Sequence, residues 1–208
     1  QDTSECEEPS LCDEGYTEID GECYYQSDLD VLQMFIDNSQ EGEGFPSYIS
    51  NNPPPSDLSP IELGVQEWED GRLVEFCSNH YYDPEDFDEH FICEMDYVLS
   101  GEIPSEIGNL MSLTYLNLFG NFFSGEIPIE IYNLINLNHL DFGYNDLSFS
   151  MTSDIGQLVN LNFLSLPHLN LIGEIPSEIG NLTSLTYLNL GGRFSFTEGN
   201  INLTGPIP

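Results

Sequence analysis

The chain has no lysine and only two arginines, Arg72 and Arg193, against 37 acidic residues, which gives a formal net charge of −35. This charge repels phosphates, so nucleic acid is excluded as a direct partner. No run of 18 apolar residues occurs, so no transmembrane segment is predicted. Nucleophile-elbow, zinc-protease, Walker A and dinucleotide-binding motifs are also lacking. We therefore expect a protein that is not an enzyme and that carries no organic cofactor.

The second half of the chain contains a repeat with a period of 24 residues. The stretch LSGEIPSEIGNLMSLTYLNL at 99–118 recurs as LIGEIPSEIGNLTSLTYLNL at 171–190; two copies lie between them and a fifth begins at Leu203. Its leucines are spaced L-x-x-L-x-x-L-x-L, and the final L-x-L has the period of a β-strand. One such strand cannot bury its apolar face, but successive copies about 4.8 Å apart form a parallel sheet over a shared core. The repeat therefore predicts a stacked solenoid.

The pattern predicts strands near 115–119, 139–143, 163–167 and 187–191. Their inward residues should be buried together, and these are Leu116, Leu118, Leu140, Phe142, Leu164, Leu166, Leu188 and Leu190. After the strands come Asn121 and Asn145, which we expect to be buried and to pair with backbone groups of neighbouring turns. Leu169 takes the corresponding place in the third copy.

The repeat resembles the plant-type leucine-rich repeat, whose consensus is close to LxGxIPxxIGxLxxLxxLxLxxNx. The resemblance implies an α/β fold: a right-handed solenoid with a parallel β-sheet on the concave face, short 3₁₀ or irregular convex segments, and an N-terminal cap. It divides the chain into a Cys-containing acidic segment (1–27), a cap with a helix and an acidic loop (28–98), and the repeats (99–208; four full, a fifth begun). The third copy lacks Gly-x-Ile-Pro, and the fourth carries eight extra residues.

The cap is expected from two stretches that resemble those of the family. SDLDVLQMFIDNS has apolar residues at helical spacing, and WEDGRLVEF reads as a turn followed by a strand. In the family, a D-x-x-x-L-x-x-F helix and a G-R-V strand cover the first repeat. Asp28, Leu32 and Phe35 match the helix, and residues 71–74 match the strand. The usual W-x-G-V-x-C stretch of the family is absent, so the resemblance implies a divergent cap.

Five cysteines precede the repeats. The hairpin-like segment CDEGYTEIDGEC favours a Cys12–Cys23 disulfide, and Cys77 and Cys93 flank the acidic loop and form a second candidate pair. Cys6 is then free or joined to another molecule. Together with N-x-T sequons at Asn181 and Asn202, the cysteines predict a secreted glycoprotein, extracellular or at the cell surface.

Calcium is the one metal that the sequence suggests. The acidic loop YYDPEDFDEHF offers oxygen ligands at Asp83, Asp86, Asp88 and Glu89, but it lacks the EF-hand spacing. The repeat also places acids in one column, which consists of Glu106, Glu130, Asp154 and Glu178. A solvated acidic surface is the alternative interpretation of all these residues.

The outward strand positions predict a contact surface. An aromatic row, a polar row and a third row cross the sheet, and the partner-binding candidates among them are Tyr115, His139, Phe163, Tyr187, Asn117, Asp141, Asn189 and Phe119. The eight-residue insertion adds Arg193, Phe194 and Phe196. The alternatives are that tyrosine simply suits strands and that the insertion is an idle loop. His139 is expected to be exposed.

Two functions fit these features. The first is a structural or adhesive building block that self-associates or binds surface partners through the solenoid; Cys6, the charged N-terminal half and the ending at LTGPIP favour it. That ending predicts either a fragment or an apolar edge that a neighbouring molecule covers. The alternative is a soluble or receptor-type recognition module that binds a protein, peptide or glycan on the concave face. Ice binding, known in one branch of the family, needs a more regular Thr or Asn array.

Overall fold

The leucine spacing produces many short strands and few helices in the computed structural model, which describes residues 12–41, 52–79, 93, 97–191 and 202–204. The α-helix α1 spans Gln26–Glu41. The strands are β1 (Tyr16–Ile19), β2 (Glu22–Tyr25), β3 (Val65–Glu69), β4 (Arg72–Cys77), β5 (Ser100–Glu102), β6 (Tyr115–Asn117), β7 (Phe122–Glu126), β8 (His139–Asp141), β9 (Asp146–Ser150), β10 (Phe163–Ser165), β11 (Asn170–Glu174), β12 (Tyr187–Asn189) and β13 (Asn202–Thr204). Short 3₁₀ segments are Pro60–Glu62, Ser105–Asn109, Ile129–Asn133, Ser153–Gln157 and Ser177–Asn181.

The larger sheet is the predicted parallel sheet, extended by two strands of the cap. Its order is β12-β10-β8-β6-β4-β3, and neighbouring strands from β4 to β12 are parallel. Each repeat strand is aligned with the next at the 24-residue period, so that Tyr115 lies opposite His139 and Phe163 opposite Tyr187. The predicted fold class is confirmed.

Burial of the inward residues agrees with the expectation for three of the four copies. Leu116, Leu140 and Leu164 are 0%, 4% and 0% exposed, and their partners at 118, 142 and 166 are buried as well. The prediction is wrong for Leu188, which is 45% exposed, and Leu190 is only half-buried. Strand β12 lies at the edge of the larger sheet in the described part of the chain, so its inward side chains have a neighbouring strand on one side only.

A second parallel sheet was not expected from the sequence. Its order is β13-β11-β9-β7-β5. In the first, second and fourth copies its strands end at the Gly-Glu of a Gly-x-Ile-Pro stretch, just before a 3₁₀ segment, whereas the third copy lacks this motif and contributes Asp146–Ser150. The repeat glycines adopt positive φ there, 83° at Gly101, 83° at Gly125 and 91° at Gly173. The register of this sheet confirms the insertion in the fourth copy: Gly125 pairs with Leu147, 22 positions on, whereas Gly173 pairs with Leu203, 30 positions on.

Buried asparagines join the two sheets. The Asn145 amide donates to the carbonyls of Leu118 and Phe142 at 2.8 and 3.0 Å, and its oxygen accepts from the Phe123 N–H at 3.0 Å. Asn121 makes the equivalent contacts one turn earlier. The predicted role of these residues is thus confirmed, and Leu169 fills the same place with a side chain that is 1% exposed.

The cap seals one end of the core. Helix α1 buries its apolar side, and the Phe35 ring contacts Phe76 of β4 and Phe123 of β7 at centroid distances of 5.7 and 5.6 Å. The Asp70-Gly71 turn has positive φ at both residues and joins β3 to β4 as a hairpin. A bidentate ion pair joins the two halves of the cap: Arg72 donates to Asp28 at 2.8 and 3.0 Å.

Both favoured disulfides are present. Cys12 joins Cys23 beside the β1–β2 hairpin, and Cys77 joins Cys93. The hairpin docks onto the cap, since the Tyr25 N–H donates to the Gly71 carbonyl at 2.7 Å and the Tyr24 ring packs against Trp68.

Candidate functional site

The outward face of the larger sheet carries a continuous stack of rings, the aromatic row, which consists of Tyr115, His139, Phe163 and Tyr187. Successive centroids are 4.2, 4.1 and 4.3 Å apart, with interplanar angles of 14°, 11° and 4°. These distances are shorter than the spacing of about 4.8 Å between strands, so the side chains converge on this face, as they do on a concave surface. The predicted row therefore exists, with its rings standing side by side across the strands.

His139 is buried in the aromatic row, which corrects the expectation of an exposed histidine. Its side chain is 6% exposed because Tyr115 and Phe163 cover both faces of the imidazole. Desolvation lowers the pKa of His139 to about 4. The residue is therefore a neutral ring at pH 7, and it takes the place of a fourth aromatic residue in the stack.

The polar row lies beside the aromatic row and fixes the turns that follow the strands. Its members are Asn117, Asp141, Ser165 and Asn189. In three copies the side-chain oxygen accepts from the backbone N–H two residues on, at 3.0 Å for Asn117, 2.8 Å for Asp141 and 2.9 Å for Asn189. The third copy has Pro167 at the donor position, and proline has no N–H. The polar row is therefore part of the scaffold of the site, and Asn117, Asp141 and Ser165 are buried, whereas Asn189 is half-buried.

Asp141 is the most perturbed acid of this face. It is 8% exposed, and desolvation raises its pKa to about 7, although hydrogen bonds from the Gly143 N–H and Ser165 act in the opposite direction. A carboxyl group held in this way keeps its proton over most of the acidic range.

The third outward row, which consists of Phe119, Gly143, Pro167 and Gly191, lies beside a groove at the end of the strands. Gly143 lies between Phe119 and Pro167, and a Cβ atom there would come within 2.7 Å of the Pro167 ring and 3.0 Å of the Phe119 ring. Tyr144 and His168 follow with positive φ of 56° and 61°, and their rings are in contact. They line the groove, of about 230 Å³, with Asn121, Phe122, Asn145 and Asp146. Gly143 thus allows the close packing beside this groove.

The aromatic row continues into the cap, which sequence reasoning missed. Glu75 of β4 is aligned with Tyr115, and Glu67 of β3 is aligned with Glu75. Both glutamates are exposed. A complete row across the larger sheet therefore has two carboxylates followed by four rings. The spacing of 40 positions between Glu75 and Tyr115 is not a multiple of the repeat, so periodicity could not have placed Glu75 there.

The sequon asparagines and the acid column lie away from the aromatic row. Asn181 is exposed at the end of a 3₁₀ segment, and Asn202 lies in β13. Glu130 and Glu178 of the acid column pack beside glycines of the preceding copy, Gly108 and Gly156. Outside the described residues lie Cys6, the calcium candidates Asp83, Asp86, Asp88 and Glu89, and the insertion candidates Arg193, Phe194 and Phe196.

Neither a metal site nor a membrane-spanning helix occurs among the described residues. No group of three or more His, Cys, Asp or Glu side chains in that part of the chain has the arrangement of a metal site. No described helix combines the length and the apolar character that crossing a membrane requires.

Asp141→Asn is expected to change how the stability of the protein depends on pH. In the folded state the pKa of Asp141 is raised to about 7, whereas the pKa of an aspartate in an unfolded chain is about 3.9. Stability supplied by this group is present at low pH and is lost as the pH rises from about 4 to about 7. Relative to wild type, the free energy of unfolding of the variant should therefore rise by about 1.4 kcal/mol per pH unit over that range. Urea unfolding at pH 4, 5, 6 and 7 measures it.

His139→Phe provides the matched control with the opposite sign. Because burial lowers the pKa of His139 to about 4, wild type loses stability through this residue as the pH falls from about 6.5 to about 4. The free energy of unfolding of the variant should therefore rise relative to that of wild type as the pH falls over this range. If both differences were independent of pH, the assignment of the two protonation states would be wrong.

Known proteins resemble the chain in sequence and fold. A family model described as Leucine Rich Repeat matches residues 112–134. A chain of the BIR3–SERK2 complex from Arabidopsis thaliana is 30% identical, with 78% of this chain and 81% of that chain covered and a TM-score of 0.54. The BIR2 ectodomain from Arabidopsis thaliana is 25% identical, with coverage of 76% and 74% and a TM-score of 0.52. A plant ice-binding protein is 21% identical, with coverage of 81% and 48% and a TM-score of 0.57, which shows similarity of fold alone. No curated protein matches the chain.

Proposed function

Because the chain belongs to the plant-type leucine-rich repeat family, we propose that it is an extracellular, non-catalytic module that binds a protein or peptide through the concave face of its larger sheet. The observation that carries this proposal is the aromatic row. Its rings point away from the core and are not needed to fill it, and Tyr187 is 44% exposed. Exposed aromatic side chains beside polar ones are typical of the centre of a protein interface.

The stacking of the row favours a protein or peptide over a glycan. Sugar rings bind aromatic side chains by lying on their faces. In this row the faces of His139 and Phe163 are covered by neighbouring rings, so a ligand meets mainly ring edges and hydroxyl groups. The Tyr115 and Tyr187 hydroxyls accept long hydrogen bonds from the side chains of Asn117 and Asn189, at 3.4 Å each, so polar groups lie along the same edge. Such a mixed edge suits peptide side chains and backbone groups.

The similar proteins support the same class of partner. One of the similar structures is a complex of BIR3 with SERK2, and another is an ectodomain. Two disulfides in the described chain agree with an oxidising, extracellular environment.

The proposal is tested by selecting binders from a displayed random-heptapeptide library on the immobilised protein. Peptides that occupy the concave face should lose at least tenfold in affinity on Phe163→Ala and on Tyr187→Ala. Ile172→Ala is the matched control, since Ile172 is 42% exposed on the smaller sheet. If Phe163→Ala and Tyr187→Ala left the affinity unchanged and Ile172→Ala lowered it, the peptides would bind outside the concave face.

Self-association is a second candidate function that one observation favours. Tyr187 and Leu188 are 44% and 45% exposed on β12, the last strand of the larger sheet in the described chain. Unpaired strand edges with apolar side chains favour pairing with a second copy.

Association, where it occurs, should strengthen with added NaCl. A formal charge of −35 on each copy produces long-range repulsion that salt screens, whereas burial of Leu188 is short-range. Sedimentation velocity at about 20 and 500 mM NaCl measures the effect, with Leu188→Glu as the variant that should remain monomeric. Large species at low salt that were unchanged by Leu188→Glu would contradict this candidate.

A further inference from the structure

We infer that the partner of the concave face is a basic polypeptide segment that places an arginine or lysine side chain at the Glu67–Glu75 end of the aromatic row. This inference rests on the proposed function and specifies the chemistry of its ligand. The observation behind it is the row itself, in which two aligned glutamates are followed by four stacked rings.

The two glutamates form an excess of negative charge that the described chain does not neutralise. Desolvation raises the pKa of Glu75, and repulsion from Glu67 and Glu69 raises it further. Arg72 is the one Lys or Arg among the described residues, and it pairs with the fully buried Asp28. A cation supplied by a partner would relieve this repulsion.

The ring geometry places that cation at the same end. A cation interacts with the face of an aromatic ring and not with its edge. Tyr115 stacks one face on His139 of β8, and its other face is on the side of β4, the strand that carries Glu75. Tyr115 and Glu75 can therefore hold one guanidinium or ammonium group together, through the ring face and the carboxylate.

An organic cation fits better than a metal ion, because the described residues contain no group of three ligands suited to a metal. The length of the row fits a peptide. From Glu67 to Tyr187 it crosses six strands, about 24 Å at a spacing of about 4.8 Å. An extended peptide rises about 3.3 Å per residue, so about seven residues cover the row, with the basic residue at one end and apolar residues over the rings.

The experiment uses heptapeptides selected from a displayed random library on the wild-type protein at about 150 mM NaCl. Arg and Lys should be enriched at least threefold over the unselected library, near one end of the peptide. For a selected peptide, replacement of its arginine by neutral citrulline should weaken binding at least tenfold. The double variant Glu67→Gln, Glu75→Gln should lose both the enrichment and the citrulline effect.

The double variant Glu126→Gln, Glu174→Gln is the matched control. It removes the same charge from exposed positions of the smaller sheet and should behave as wild type. Loss of the enrichment in this control too would show attraction by net charge alone and would overturn the inference. Selected peptides without basic residues that still depend on Phe163 and Tyr187 would overturn it and leave the proposed function standing. If no selected peptide depended on the concave face, both would fail.

Discussion

Arg72→Ala is expected to lower the free energy of unfolding by about 3 to 5 kcal/mol, because it leaves a buried carboxylate without its cation. Asp28 is 0% exposed, and it accepts two hydrogen bonds from Arg72 and a third from the Leu73 N–H at 2.9 Å. The Arg72 guanidinium also lies 4.3 Å from the centroid of the Tyr25 ring, so the hairpin loses a contact as well. Urea unfolding followed by the fluorescence of Trp68, the single tryptophan, reports on the cap directly.

Two variants separate the ion pair from a general effect of charge. Glu126→Gln removes an exposed charge and should stay within about 0.5 kcal/mol of wild type. The pair Arg72→Met, Asp28→Leu removes both buried charges and should recover much of the loss, since apolar replacements of a buried pair are often neutral. A cost below about 1 kcal/mol for Arg72→Ala would show that the ion pair does not hold the cap.

Asn145→Leu is expected to cost about 3 to 6 kcal/mol, because several buried backbone groups lose their partner at once, at about 1 to 3 kcal/mol each. Leucine has a similar size and is already accepted at Leu169 in the next copy, so lost hydrogen bonds and not volume should dominate. The groups affected are the Phe123 N–H and the carbonyls of Leu118, Phe142 and Gly143. Guanidinium unfolding followed by far-UV circular dichroism measures the change.

Asn160→Leu is the control for this prediction. Asn160 also donates to a carbonyl of the preceding turn, that of Ile135 at 2.8 Å, but the bond is exposed and water can replace it. Its loss should cost less than about 1 kcal/mol. Equal costs for the two variants would mean that burial of the asparagine is not the source of its contribution.

The repeat made the larger sheet predictable, because a period of 24 residues fixes which side chains share a row and which point inward. It could not show that the rings of the aromatic row would converge, since that depends on the curvature of the stacked turns. His139 was therefore expected to be exposed and is buried. The same limit applies to Leu188, whose burial depends on a neighbour and not on its own copy.

The cap and the smaller sheet were harder to predict for different reasons. The strands of the smaller sheet carry Gly, Glu, Asp or Asn, which are depleted in β-strands, and they become strands because each copy pairs with the next. Glu75 was missed because its spacing of 40 positions from Tyr115 does not follow the 24-residue period, and Glu67 was missed because an irregularity between Glu67 and Trp68 alters the alignment of β3 with β4. Only the folded register shows that this strand continues the aromatic row.

The strands of the larger sheet are expected to open in a fixed order, starting with the strand farthest from the cap. The inward leucine is 0%, 4% and 0% exposed in the first three copies and 45% exposed at Leu188 in the fourth. In the described part of the chain β12 has a neighbouring strand on one side only, and a strand with one neighbour opens at lower free energy than a strand with two. Amide hydrogens of β12 should therefore exchange with solvent before those of β10 and β8, and those of β6 last.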